Sequence, residues 1–199
     1  MRLALVVALA LLLLVPACGG DGDGGGNGGG NGGGEAAEPE ARDPEEWVAD
    51  VCGAVGSWVA DIQEQSTELG ETARGAENLE DARDQFAAFF DGVVDRTEEM
   101  LTEIEDADAP AVEDGEATAQ DLRDTLEPIQ GVFENARDEA EDLPTDDPAA
   151  FEDGATEIGQ TVEEEATEIS DAFDELDQRY DVPELDEAFE EEEEACAEL

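Results

Sequence analysis

The sequence predicts an all-α protein: an antiparallel up-down bundle of four long helices followed by a short C-terminal helix. From Pro44 onward, apolar residues recur every three or four positions, which is the period of a helix with one buried face. The residues between them are mostly acidic or small, and no stretch alternates polar and apolar residues as a half-buried strand does. Turn and capping residues divide this region into five segments joined by short connections, which favour antiparallel neighbours.

Local signals mark where the helices begin. Asp43 precedes Pro44, which pairs a capping side chain with a residue suited to the first helical turn. Asp147 and Pro148 repeat this pair, and we expect Asn78 to cap the second helix.

Two further prolines bear on helix boundaries. We expect Pro183 to open the fifth helix. Pro128 falls inside the third apolar pattern, where a proline removes a backbone donor and collides with the preceding turn. We therefore expect the third helix to be kinked or divided there.

The charge of the chain excludes several kinds of chemistry. Its 199 residues include 59 Asp and Glu against 8 Arg, with no Lys and no His, and the net charge is -51. Imidazole bases, His metal ligands and Schiff-base lysines are therefore absent, and repulsion from phosphates disfavours nucleic-acid binding. Carboxylates are so dense that no catalytic pair stands out. We expect a protein that is not an enzyme and needs no cofactor.

The N-terminus carries an export signal. Arg2 precedes an apolar run of 13 residues, Leu3 to Val15, which is shorter than the roughly 20 residues that span a bilayer. The run ends in Val15-Pro16-Ala17-Cys18, which resembles the lipobox of bacterial lipoproteins. With the Gly-rich, Lys-free composition, the chain is similar to small actinobacterial lipoproteins of unknown function; a haloarchaeal source is the alternative.

This resemblance implies cleavage before Cys18 and a diacylglyceryl thioether on its sulfur. We then expect a signal peptide at 1–17, a lipidated cysteine with a Gly-rich tether at 18–43, and an acidic helical domain at 44–199. The acyl chains would anchor the protein to the outer face of the cell membrane. The alternative is ordinary secretion with a spare cysteine.

Two other cysteines, Cys52 and Cys196, remain in the helical domain. In an exported chain, a pair of cysteines favours one disulfide, which would tie the first helix to the last. Separate thiols, or a thiol pair used for redox chemistry or metal binding, are the alternatives, although no CxxC motif is present.

A candidate ligand groove lies on the first helix. Trp47 and Trp58 are eleven residues apart, which places them on similar faces, and Gly53 and Gly56 lie between them. The residues predict either a groove that leaves room for a ligand or, more simply, part of the core.

The acidic C-terminus suggests a second possibility. Glu190, Glu193 and Glu194 share a helix face and could hold a divalent cation weakly, although a solvated helix face is the simpler explanation. The function we expect is a lipid-anchored, extracytoplasmic binding or interaction module of the cell envelope. Its partner would be an envelope protein or a small molecule and not nucleic acid; the alternative is a low-affinity Ca²⁺-binding protein.

Overall fold

The structure is a computed structural model that describes residues 41–73, 75–180, 182–192 and 196, without the side chains of 173, 174 and 177. The predicted signal peptide and most of the tether, including Cys18, lie outside these residues. The described chain forms five helices: α1 Pro44–Ala73, α2 Leu79–Asp106, α3 Gly115–Glu141, α4 Pro148–Arg179 and α5 Pro183–Glu191.

The four long helices pack in chain order, and the short α5 packs along α1. One apolar core contains residues from all five helices. The predicted all-α bundle is therefore confirmed. Among the described residues, no helix is long and apolar enough to cross a bilayer.

The predicted helix starts are also confirmed. The Asp43 carboxylate accepts a hydrogen bond from Glu45 N–H at 3.1 Å, and Asp147 accepts one from Ala149 N–H at 3.0 Å. Asn78 accepts one from Asp81 N–H at 3.0 Å. Each bond satisfies a backbone donor that the first helical turn leaves unpaired.

The third helix runs undivided through Pro128, so the division allowed for at that residue does not occur. Pro128 is exposed, and the proline ring therefore requires no space in the core. The residues on both sides of it supply buried side chains, Leu126 and Ile129, whose packing holds the helix together across the missing hydrogen bond.

The N-terminal segment joins the bundle at the end that carries the α2–α3 connection. Arg42 N–H donates to the carbonyl of Ala109 at 2.8 Å, and Ala111 N–H donates to the carbonyl of Arg42 at 2.6 Å. Gly115 begins α3 beside this connection, and a Cβ added there would lie 2.0 Å from the carbonyl oxygen of Pro110. The close approach of these two backbones requires glycine.

The predicted disulfide between Cys52 and Cys196 is present. It joins the third turn of α1 to the residues that follow α5, across a sequence separation of 144 residues. The bond encloses almost the entire bundle.

Candidate functional site

The tryptophans predicted to border a ligand groove belong to the core. Trp47 and Trp58 are each 3 % exposed. The Trp58 ring packs against Phe133 with centroids 6.3 Å apart, and its indole N–H donates to Thr97 Oγ1 at 3.0 Å. Trp58, which belongs to α1, therefore packs against both α2 and α3. The open groove predicted at these residues is not found there.

The two glycines of that prediction differ from each other. Gly53 is exposed, and a Cβ added there would meet no atom within 4 Å, whereas Gly56 is buried. The space at Gly53 is open solvent and not a ligand cavity. The shared helix face was inferred correctly, but this face is covered by the neighbouring helices.

A groove does exist between α3 and α4. It consists of two depressions of about 470 Å³ and about 210 Å³ that share Pro128 and Glu165. Together they follow α3 from Asp121 to Glu139, which is roughly 27 Å at 1.5 Å per residue. We call these two depressions the α3–α4 groove.

The residues of the groove follow the helical period on both sides. We call the apolar lining residues the floor: Pro128, Val132, Ala136, Ile158, Val162, Ile169, Ala172 and Leu176. Thr125, Gly131, Asn135 and Thr161 also line the groove. The walls are acidic, with six carboxylates: Asp121, Asp124, Glu139, Glu165, Glu168 and Glu175. Arg179 is the one cation among the lining residues. A long apolar floor between anionic walls suits an elongated ligand that is both apolar and cationic.

One end of the groove is closed by a hydrogen-bonded network. The Asp121 carboxylate on α3 accepts a hydrogen bond from the Tyr180 hydroxyl at 2.8 Å and another from the Arg179 guanidinium. Both donors lie at the end of α4. Since Arg179 is already paired with Asp121, it does not compensate the charge of the other walls. In the described part of the chain, Asp124, Glu165 and Glu168 have no arginine partner.

This network shifts the pKa values of its members. The hydrogen bond from Tyr180 lowers the pKa of Asp121, and the bond from Arg179 adds to this effect. The same bond raises the pKa of Tyr180, because the phenol is held beside a carboxylate that resists a second negative charge. The network is therefore most stable with Asp121 ionised and Tyr180 neutral.

A third depression, of about 500 Å³, lies between α2 and the end of α3. It is lined by Arg83, Asp84, Ala87, Ala88, Asp91 and Glu141. Its apolar lining consists of two alanines, and Arg83 is bonded to Asp84. The shallow apolar surface makes it a weaker binding surface than the α3–α4 groove.

The glutamates considered for a divalent cation receive no support. Glu190 is exposed on α5, and Glu193 and Glu194 lie outside the described residues. Within the described residues, no three His, Cys, Asp or Glu side chains are placed to hold a metal ion.

Comparisons with protein-family models, curated proteins and solved structures find no match to this chain. Functional inference therefore depends on its own residues and geometry.

Proposed function

We propose that this protein is a lipid-anchored, extracytoplasmic interaction module of the cell envelope, and that the α3–α4 groove is its binding surface. The observation that supports the proposal is the groove itself, which combines an apolar floor with six wall carboxylates and one arginine that is already paired. No comparable combination lies at the buried tryptophans.

The shape of the groove favours a polypeptide segment over a small molecule. A groove of roughly 27 Å is as long as an 18-residue helix. A helix with an apolar stripe would lay that stripe over Pro128, Val132 and Ala172, while arginines or lysines on its flanks meet the wall carboxylates. The field of a chain with net charge -51 would also speed the approach of a basic partner.

The anchoring part of the proposal comes from the sequence. The lipobox-like residues end at Cys18, whose sulfur would carry the lipid, and the Gly-rich stretch that follows would be the tether. A coil of about 25 Gly-rich residues has an end-to-end distance of roughly 25–30 Å. Since the chain joins the bundle at Arg42, the α2–α3 end of the bundle would face the membrane.

The test uses a synthetic peptide of about 14 residues with leucines at helical spacing and arginines elsewhere, long enough for about four turns. Its affinity for the full chain is compared with that of a scrambled peptide of the same composition, which has equal charge but no apolar stripe. We expect the ordered peptide to bind more tightly by about tenfold, since its stripe buries apolar area that the scrambled peptide leaves in water.

Two matched variants locate the binding. Ala172 lines the groove, whereas Ala150 lies on the same helix, is equally half-buried and lines neither depression. Ala172→Arg places a bulky cation on the floor and should weaken binding by about tenfold, while Ala150→Arg should leave it within about twofold. Equal binding of both peptides, or equal effects of both variants, would mean general attraction to an acidic surface and would contradict the proposal.

A further inference from the structure

The short helix α5 is weakly held by packing. Its buried side chains are Leu185 and Ala188, with Phe189 partly buried, and its packing partner is α1. Five of its nine residues are acidic. So little apolar area gives a helix of this length limited stability of its own.

Like charges also oppose its docking. The carboxyl groups of Glu45 on α1 and Glu191 on α5 lie within hydrogen-bonding distance, and Asp43 and Glu192 are close enough to add repulsion. This contact raises the pKa of Glu45, chiefly through the hydrogen bond with Glu191, because ionising both carboxyls there is unfavourable. The docking of α5 on α1 therefore brings like-charged carboxyl groups together.

The disulfide counteracts this repulsion on the same face of α1. Cys52 follows Glu45 by seven residues, which is two helical turns, so both face α5. The two cysteines differ in exposure: Cys52 is 0 % exposed, whereas Cys196 is partly exposed. Solvent therefore contacts the disulfide-bonded pair at Cys196 and not at Cys52.

We propose that Cys196 is a site of thiol–disulfide exchange and that the Cys52–Cys196 bond is a latch whose reduction releases α5 from α1 while α2 and α3 stay folded. The partner is an extracytoplasmic dithiol oxidoreductase. This role does not depend on ligand binding in the α3–α4 groove, but it rests on the extracytoplasmic location of the proposed function.

The exchange is balanced in two steps. A thiolate of the dithiol attacks Sγ of Cys196, which forms a mixed disulfide and releases Cys52 as a thiolate that takes up a proton. The second thiol of the partner then attacks the partner's sulfur in the mixed disulfide. This releases Cys196, which takes up a proton and becomes a thiol. The partner ends as a disulfide, and two electrons and two protons have passed to the two cysteines.

The first experiment identifies the attacked sulfur. The full chain carrying Cys18→Ala retains Cys52 and Cys196 as its cysteines. It is treated with reduced glutathione, quenched with N-ethylmaleimide and examined by peptide mass spectrometry. We expect glutathione on Cys196 and maleimide on Cys52, because attack requires an accessible sulfur. The mixed disulfide at Cys196 should be at least about tenfold more abundant than the one at Cys52. Equal distribution, or glutathione mainly on Cys52, would overturn the assignment.

The second experiment measures release by hydrogen exchange before and after dithiothreitol. We expect the amides of 183–192 to exchange at least about tenfold faster after reduction, with those of α2 and α3 unchanged. Unchanged protection in α5, or loss of protection in α2 and α3 as well, would contradict the latch.

A charge variant tests the repulsion. Glu45→Gln removes one carboxylate from the contact with Glu191, and Glu46→Gln removes the neighbouring exposed carboxylate as a matched control. After reduction, Glu45→Gln should slow maleimide labelling of Cys52 severalfold, whereas Glu46→Gln should not. Equal labelling rates in the two variants would show that the repulsion plays no part in release.

Discussion

The indole N–H of Trp58 on α1 donates a 3.0 Å hydrogen bond to Oγ1 of Thr97 on α2. The Thr97 hydroxyl in turn donates to the carbonyl of Val93 at 2.8 Å, so the threonine uses both its acceptor and its donor. Thr97 is 0 % exposed. A buried polar pair of this kind fixes the relative positions of two helices whose other contacts are apolar and less directional.

We expect Thr97→Val to lower the free energy of unfolding by about 1–3 kcal/mol, because it leaves the buried indole donor without a partner. Thr97→Ser keeps the hydroxyl and loses a methyl group, so its loss should be smaller, about 1 kcal/mol. Urea unfolding followed by tryptophan fluorescence compares the two. A valine variant as stable as the serine variant would show that the hydrogen bond contributes nothing.

Gly115 and Gly131 on α3 should respond oppositely to alanine. A Cβ at Gly115 would lie 2.0 Å from the Pro110 carbonyl oxygen, whereas a Cβ at Gly131 would meet no atom within 4 Å. Gly115→Ala should therefore destabilise the protein by more than about 1 kcal/mol. Gly131→Ala should stabilise it by roughly 0.5–1 kcal/mol through its helix propensity. Thermal unfolding measures both, and effects of the same sign would contradict the backbone contact.

The Asp121–Tyr180 hydrogen bond should be observable as a pH dependence of stability. The lowered pKa of Asp121 contributes stability above the unfolded-state value near 4, which is lost as the pH falls through the lower folded-state pKa. The raised pKa of Tyr180 contributes stability below about 10, which is lost as the pH rises through the folded-state pKa. The bond is thus fully formed between these limits.

We expect Tyr180→Phe to be less stable than the unmodified protein near pH 7. The difference should begin to shrink below about pH 4 and be lost as the pH falls through the lower folded-state pKa of Asp121. It should also begin to shrink above about pH 10 and be lost as the pH rises through the higher folded-state pKa of Tyr180. Urea unfolding of both proteins at matched ionic strength across this range gives the difference. A constant difference at every pH would indicate lost packing and not a lost hydrogen bond.

The lipid anchor is tested by cell fractionation. Cys18→Ala removes the sulfur that would carry the diacylglyceryl group, so the protein should leave the membrane fraction. Cys196→Ala serves as the control and should remain with the membrane. A Cys18→Ala protein that still sediments with membranes would refute the lipobox interpretation.

Local signals in the sequence are sufficient to predict where the helices lie along the chain, but not which helices pack against each other. The caps at Asp43, Asn78 and Asp147 each depend on two or three neighbouring residues, and the structure contains all three. The cysteine pair required no knowledge of packing because only one pairing is available once Cys18 is assigned to lipid. Pro128 had a local consequence too, but burial on both sides of it kept α3 in one piece.

The candidate site depends on which helices are neighbours, and the helical period does not specify this. Periodicity places Trp47 and Trp58 on one face, but whether that face is open or covered depends on α2 and α3. The link between Asp121 and Tyr180 joins residues 59 positions apart, and no local pattern indicates it. One usable signal was missed: Glu165, Glu168 and Glu175 flank Ile169 and Leu176 at helical spacing.

The most direct test of the central claim is to map the bound peptide by hydrogen exchange. The full chain is measured with and without the ordered peptide and, as the control, with the scrambled one. We expect added protection at 121–139 and 158–179, the two sides of the α3–α4 groove, and none in α2. Protection spread evenly over the acidic faces of all the helices, or equal protection by the scrambled peptide, would contradict binding in the groove.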